Sequence, residues 1–351
     1  MDLNTRYLGL TLRSPLVASA GPLTGSLAGI TKLAEAGVGA VVLPSLFQEQ
    51  LPTGDERDWF PAEGDWVPAE GGADGRDDAR KYFRHLGGPG GGDWPARYLA
   101  LIKRAVAEVD IPVIASLNGG STGAWTDYAS AMQAAGASAI ELNVYYLPGD
   151  PLIPARDAER RYTEILSTVK AVVSIPVAVK LSPYFSSLGE MATVLDQAGA
   201  DGLVLFNRFL QTDIDPETFT VSRGFRLSVP AESALSRAWI SRLHGLVRCS
   251  LAASTGVDSA ADVAAYLLGG ADVVMTTSAL LRHGPQHARV LLDGLENWMH
   301  SKGFKTLAGV RGLLANAPEG RPAYTRIGNL SALEQASHAY GSPGSHQAPI
   351  G

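Results

Sequence analysis

A lysine closes a short apolar run in the stretch Ile175-Pro-Val-Ala-Val-Lys-Leu-Ser-Pro-Tyr-Phe185. Ile175-Pro176 is a common strand entry, because proline lacks an N–H at a place where no ladder bond is yet needed. Val177-Ala178-Val179 then reads as a strand buried on both faces, and Ser182-Pro183 ends it. A charged amine at the end of a buried strand is costly unless it faces a polar site. Lys180 is therefore either a side chain reaching out to solvent or the cation of a functional site. Two other stretches, Ser254-Thr-Gly-Val257 and Thr276-Thr-Ser-Ala-Leu280, place small residues between an apolar run and a helical one. Backbone N–H groups and a helix N-terminus can hold a phosphate there. The chain has no HExxH, no clustered His and Asp, and no paired carboxylates. Metal-assisted hydrolysis and glycosidase chemistry are left without support.

These residues need a scaffold that brings distant strand ends together. Short apolar runs recur at 16–20, 40–43, 113–117, 139–144, 177–181, 202–206, 250–253 and 273–276. Amphipathic stretches lie between most of them, at 27–36, 96–109, 125–135, 160–173, 188–198, 234–246, 260–268 and 286–302. Several of these end in a repeated phrase, as in Ala36-Gly37, Ala135-Gly136, Ala198-Gly199 and Gly269-Gly270. Glycine in that place supplies the left-handed residue that closes a helix. Eight βα units predict a (β/α)8 barrel; a doubly wound sheet is the alternative and usually needs fewer units.

In a barrel, functional residues lie at strand C-termini and in the loops that follow. Those positions hold Ser19, Ala20, Gly21, Pro44, Ser45, Ser116, Asn118, Gly119, Asn143, Tyr145, Tyr146, Lys180, Asn207, Arg208, Ser254, Thr255, Gly256, Thr277 and Ser278. The rim is rich in amides and hydroxyls, with one buried cation. Glu141, in phase with Asn143, is expected to line the barrel. Strands seven and eight of such barrels are where a phosphate is usually held, and here they carry the two small-residue stretches.

Composition narrows the partners. The 351 residues are 46% hydrophobic and 18% charged, with a formal net charge of −6. An acidic, ordinarily globular chain of this kind argues against a nucleic-acid groove or an anionic membrane surface. No apolar run approaches the roughly 20 residues that span a bilayer, and Met1-Asp-Leu-Asn-Thr-Arg-Tyr7 does not read as a signal peptide. The cytoplasm is the expected address. A single cysteine, Cys249, excludes an intrachain disulfide and any multi-cysteine metal or cluster site. The expected organisation is one barrel over 1–331, with an inserted segment at 51–95 and a flexible tail over 332–351. The insertion holds a near-repeat, Asp58-Trp-Phe-Pro-Ala-Glu-Gly64 then Asp65-Trp-Val-Pro-Ala-Glu-Gly71. It reads either as sequence without fixed structure or as a lid or subunit contact over the active site.

Over most of its length, from about Asn4 to Phe304, the chain resembles the dihydroorotate dehydrogenase-like flavoproteins, which are FMN-binding barrels. The resemblance rests on Asn4-Thr-Arg-Tyr-Leu-Gly-Leu-Thr-Leu-Arg-Ser-Pro-Leu-Val-Ala-Ser-Ala-Gly21, Ile140-Glu-Leu-Asn143, Val177-Ala-Val-Lys-Leu-Ser-Pro-Tyr184 and Gly269-Gly-Ala-Asp-Val-Val-Met275. It implies FMN as cofactor, with Ala20 and Gly21 packing by the flavin ring and Ser45 at the strand-two motif beside it. It places Lys180 at the N1/O2 edge, where a fixed cation stabilises anionic reduced flavin. Asn118 and Asn143 would bond flavin or substrate, and Asn207 would face the substrate. Thr255, Gly256, Thr277 and Ser278 would hold the FMN phosphate. It also implies a small-molecule substrate and a homodimer or other homo-oligomer.

The chain departs from the family pattern in three places. Pro44 stands where the family usually has a lysine. Tyr146 takes the position of a cysteine or serine base, with Pro148 where a substrate asparagine is expected. Thr255 replaces the first of two phosphate-loop glycines. A tyrosine, with its unperturbed pKa of about 10, suits proton donation better than abstraction. The expected activity is therefore hydride transfer between flavin N5 and a small carbonyl-bearing or cyclic substrate other than dihydroorotate, with Tyr146 or Tyr145 as proton donor. The competing readings are a flavin-independent barrel lyase or isomerase using Lys180, and a non-catalytic FMN-binding relative.

Overall fold

The computed structural model describes residues 1–47, 94–119, 125–144, 151–208, 211–224, 226–315, 330 and 333–338. Its strands are β1 (Thr5–Tyr7), β2 (Leu10–Leu12), β3 (Leu16–Ala18), β4 (Ala40–Phe47), β5 (Val113–Gly119), β6 (Ala139–Val144), β7 (Val177–Leu181), β8 (Gly202–Leu205), β9 (Gln211–Asp215), β10 (Thr220–Gly224), β11 (Ser250–Ala253) and β12 (Val273–Thr276). The helices are α1 (Leu27–Glu35), α2 (Trp94–Glu108), α3 (Trp125–Ala134), α4 (Ala155–Lys170), α5 (Leu188–Gln197), α6 (Ser233–Leu243), α7 (Ala260–Gly269), α8 (Ser278–His283) and α9 (His287–Ser301).

The eight apolar runs form a closed ring in chain order, β3-β4-β5-β6-β7-β8-β11-β12, and every pairing in it is parallel. This is the (β/α)8 barrel, not the doubly wound sheet. Alternation sorts the side chains. In β7, Val177, Val179 and Leu181 pack outward with the helices, while Ala178 packs in the barrel interior. In β6, Ile140, Leu142 and Val144 face the helices and Ala139 faces inward. Each strand is apolar inside at its N-terminal end. Lys180, Glu141 and Asn143 follow in the inward phase and turn the other end polar.

A hairpin that the apolar runs did not reveal closes the base. β1 and β2 pair antiparallel around Leu8 and Gly9, both at positive φ (54° and 76°), as a two-residue hairpin turn requires. Leucine resists that conformation. Here its side chain joins Tyr7 and Leu12 in the interior cluster, and its N–H donates to Ser250 Oγ at 3.0 Å. Gly202 makes room, since a Cβ there would sit 2.5 Å from Leu8 Cδ2. A second hairpin, β9–β10, is inserted between β8 and α6.

The helix ends behave as read: Gly37, Gly136, Gly199 and Gly270 are all left-handed, at φ 92° to 109°. α4 starts at Ala155 rather than at 160, after an N-cap at Pro154. Its first turn, Ala-Arg-Asp-Ala, shows no apolar periodicity. The final helical stretch, expected at 286–302, is α9, and a separate short helix, α8, precedes it and ends at Gly284. Met1–Ala315 forms one compact unit and Asn316–Gly351 a second. In the second, residues 333–338 are helical. The rest of the expected tail, and residues 51–93 of the insertion with the tandem repeat, lie outside the described residues. No described helix is long and apolar enough to cross a membrane.

One irregularity in the ring has a local cause. The β4–β5 register shifts between Val42 and Ser45, across Leu43-Pro44. Proline cannot donate to a ladder. Beside this shift the Ser116 N–H donates instead to the Tyr98 hydroxyl at 2.8 Å, and that hydroxyl donates back to the Ser116 carbonyl at 3.3 Å. Tyr98 comes from α2, and burial drives its phenol well above its ordinary pKa. Replacing Tyr98 by Phe strands a buried N–H, so we expect a loss of about 1–3 kcal/mol of unfolding free energy in a denaturant titration. An unchanged midpoint would show that the Ser116 N–H finds another partner.

Candidate active site

The inward phase of β6 and β7 and the end of β3 bring three polar side chains together. Lys180 is 8% exposed and Glu141 1%. Lys180 Nζ lies 3.4 Å from Glu141 Oε1 and 3.4 Å from Ser19 Oγ. Both contacts are long for charge-assisted bonds, which run about 2.7–2.9 Å. The second carboxylate oxygen of Glu141 has no partner among the described residues, and neither has the Tyr7 hydroxyl of the basal hairpin. Burial raises the Tyr7 phenol well above its ordinary pKa, and the charge of Glu141 adds to this.

Amides and hydroxyls continue the ring. Asn207, just past β8, donates from Nδ2 to Asn143 Oδ1 at 2.7 Å. Ser45 and Ser116, paired across β4 and β5, share a hydroxyl–hydroxyl bond of 2.8 Å. Asn118 is buried in register with Asn143. Thus Ser45, Asn118, Asn143, Lys180 and Asn207 all stand at the C-terminal end of the barrel. Tyr145, Tyr146 and Pro148 lie outside the described residues.

The far side is built from the ends of β11 and β12. Thr255 has φ +84° and Gly256 φ +69°, so two successive residues are left-handed. Thr255 therefore keeps the backbone conformation that glycine would adopt without strain. Its carbonyl accepts the Tyr266 hydroxyl of α7 at 2.7 Å, and burial pushes that phenol up to about 12. A Cβ on Gly256 would meet Ser233 N at 2.7 Å, and one on Gly21 would meet Thr277 Cγ2 at 2.4 Å. The Thr277 hydroxyl donates to the Ser19 carbonyl at 3.0 Å. It therefore ties β12 to the Ser19–Gly21 segment.

Ser228 was not anticipated as part of this cluster. Its N–H and hydroxyl both reach Ser278 Oγ, at 2.9 and 3.0 Å, and its hydroxyl lies 3.3 Å from the Gly256 N–H. The Ser228 carbonyl accepts from Arg282 of α8 at 3.0 Å. Arg208 braces the same loop, pairing with Glu232 at 3.0 Å while Glu232 accepts the Val229 N–H at 2.6 Å. The sequence signal was slight: Ser228 sits two residues before Pro230, which opens a short 3-10 turn ahead of α6.

Comparison with known proteins decides the family. The dihydroorotate dehydrogenase profile matches residues 89–299 of the 351. The chain belongs to the dihydroorotate dehydrogenase family. It is thereby an oxidoreductase of a family of (β/α)8 barrels. It is 31% identical over 218 residues to a protein of Aeropyrum pernix named for dihydroorotate dehydrogenase A (fumarate), covering 60% of this chain and 70% of the relative. The catalytic subunit of dihydroorotate dehydrogenase B (NAD(+)) of Methanocella arvoryzae is 29% identical over 310 residues, 87% of this chain and 95% of its own. Its counterpart in Methanothermobacter thermautotrophicus is 25% identical over 320 residues, 89% and 98% of the two chains.

The residues fit a flavin nucleotide. A buried ammonium with only long contacts suits an electron-rich ring edge. N–H groups and hydroxyls around a glycine with no room for a Cβ suit a phosphate. Among the described residues no His, Cys, Asp and Glu cluster suits a metal. Left-handed backbone costs a non-glycine residue about 1–2 kcal/mol, partly offset by the greater unfolded-state freedom of glycine. Thr255→Gly is accordingly expected to raise stability by about 1 kcal/mol in a denaturant titration. A clear loss would mean that the Thr255 side chain contributes more than the strain removes.

Proposed function

We propose that this chain is an FMN-dependent oxidoreductase of the dihydroorotate dehydrogenase family acting on a small carbonyl-bearing or cyclic substrate other than dihydroorotate. The observation that carries the reading is the buried Lys180 ammonium, loosely held at 3.4 Å and ringed by Asn118, Asn143 and Asn207 at the barrel mouth. FMN, when bound there, supplies hydride transfer at N5. Lys180 holds a fixed positive charge toward the flavin N1/O2 edge. Ala20 and Gly21 pack beside the ring with Ser45 near it, and Thr255, Gly256, Thr277 and Ser278 anchor the phosphate through N–H groups and the Ser278 hydroxyl. Asn143 and Asn207, already bonded to each other, offer their remaining amide groups to a substrate carbonyl or N–H. Tyr146, or its neighbour Tyr145, is the proton donor to the substrate.

Two features support a substrate other than dihydroorotate. Pro44 brings no charge to the β4 end, and its loss of an N–H shifts the β4–β5 register at Ser45. Tyr146 stands where the family pattern has a cysteine or serine base, and a phenol suits proton donation better than abstraction. The lyase and non-catalytic readings have no observation in their favour, and membership of an oxidoreductase family supports the flavin reading over both. We further propose a homodimer or other homo-oligomer in the cytoplasm.

A visible absorption spectrum of the purified protein, with the chromophore released by heat, is expected to show stoichiometric FMN that dihydroorotate does not bleach. A colourless protein that takes up no added FMN would overturn the reading, and rapid bleaching by dihydroorotate would overturn its substrate part. In the same assay Lys180→Met is expected to lower FMN affinity or the reduction rate at least tenfold; unchanged values would remove Lys180 from its assigned role. Tyr146→Phe is expected to keep the bound-flavin spectrum and slow turnover about 100-fold, in the usual range for a lost general acid. Full turnover in that variant would exclude Tyr146 as the proton donor.

A further inference from the structure

Glu141 has no part in the role given to Lys180, yet its burial demands a reason. Burying a carboxylate costs several kcal/mol unless partners compensate it. Where this chain uses an ion pair to hold elements together, the carboxylate is well satisfied: Asp201 Oδ2 takes both Lys170 Nζ and the Val177 N–H at 2.7 Å. Glu141 is unlike that. Its Oε1 meets Lys180 at 3.4 Å, its Oε2 has no partner among the described residues, and its side chain is 1% exposed. Its register neighbours, Ser116 on β5 and Ala178 on β7, bring no second cation. The phenol below it, Tyr7, is itself buried without a partner among the described residues. So loose a pair does little to tie β6 to β7, which the strand ladder already joins. What it does is place a negative charge beside the lysine while leaving ammonium donors available at the mouth.

Building on the flavin reading above, we infer that Glu141 is a positioning residue that offsets the charge of Lys180 and so sets how far the site favours reduced over oxidised flavin. Removing its charge while keeping its shape leaves the lysine uncompensated and shifts the balance toward reduced FMN. Removing the lysine alone leaves an uncompensated carboxylate and shifts it the other way.

The test measures FMN affinity in both redox states, on the full chain. In Glu141→Gln, the ratio of reduced to oxidised affinity is expected to rise tenfold or more, about 30 mV for a two-electron couple. Glu141→Asp, which keeps the charge, is expected to stay within about threefold of the parent. An unchanged ratio in Glu141→Gln, or an equal shift in Glu141→Asp, overturns the inference while the bound FMN leaves the flavin reading standing. A parent protein that takes up no FMN overturns both. Breaking a buried pair destabilises more than removing it whole, so a second comparison covers a Glu141→Gln chain that does not fold. There the double variant Glu141→Gln/Lys180→Met is expected to show a ratio at least tenfold above Lys180→Met alone, and equal ratios overturn the inference.

Discussion

A closed ring of parallel strands gives every side chain one of two destinations, and the rest of this structure follows from that constraint. Alternation sends Val177, Val179 and Leu181 to the helices and Ala178 and Lys180 to the interior. A lysine in that phase cannot reach solvent sideways through the barrel wall. Its one polar outlet is the C-terminal mouth, where Ser19, Glu141 and the amides stand. The opposite end is sealed by Tyr7, Leu8 and Leu12 of the basal hairpin. The barrel thus separates a dry base from a charged mouth with a layer of small apolar side chains, among them Ala139, Ala178 and Ala252, between them.

Backbone groups lose their ladder partners at strand ends and at the β4–β5 register shift, and here tyrosines from the surrounding helices serve three such residues. Tyr98 of α2 bonds the Ser116 N–H and carbonyl, Tyr162 of α4 donates to the Val144 carbonyl at 3.2 Å, and Tyr266 of α7 donates to Thr255. Burial raises all three phenols, to about 12 for Tyr162 and Tyr266, so they stay protonated as donors across the physiological range. Buried polar groups without such partners cost about 1–3 kcal/mol each. These phenols satisfy backbone groups in β5, at the end of β6 and just past β11. Without one, the left-handed Thr255 would be strained and unsupported.

Family membership and the local departures act on different parts of the site. The cation, the amides and the cradle near Gly256 and Ser278 keep the pattern of a flavin barrel. Pro44 changes one rim strand by withholding an N–H at the β4–β5 register shift.

Periodicity alone located the barrel strands: all eight start at the residue at which their apolar runs start, because a strand buried on both faces needs a continuous apolar run. The same phase rule made Glu141 an interior residue from the sequence, while Lys180 was open to either solvent or a site until the closed ring placed it inside. Four glycine helix ends were legible because a left-handed C-cap selects glycine. The two hairpins were not: β1 and β2 have three residues each and carry too little pattern, β9 and β10 have five each but are mostly polar, and Leu8 at positive φ runs against local preference until the barrel base buries it. Only the tertiary structure decided that Glu141 faces Lys180, that Ser228 joins Gly256 and Ser278, and that Thr255 holds a glycine-like conformation. Each of these depends on residues from separate strands or loops meeting at one end of a closed ring, and sequence spacing carries no information on distances across it.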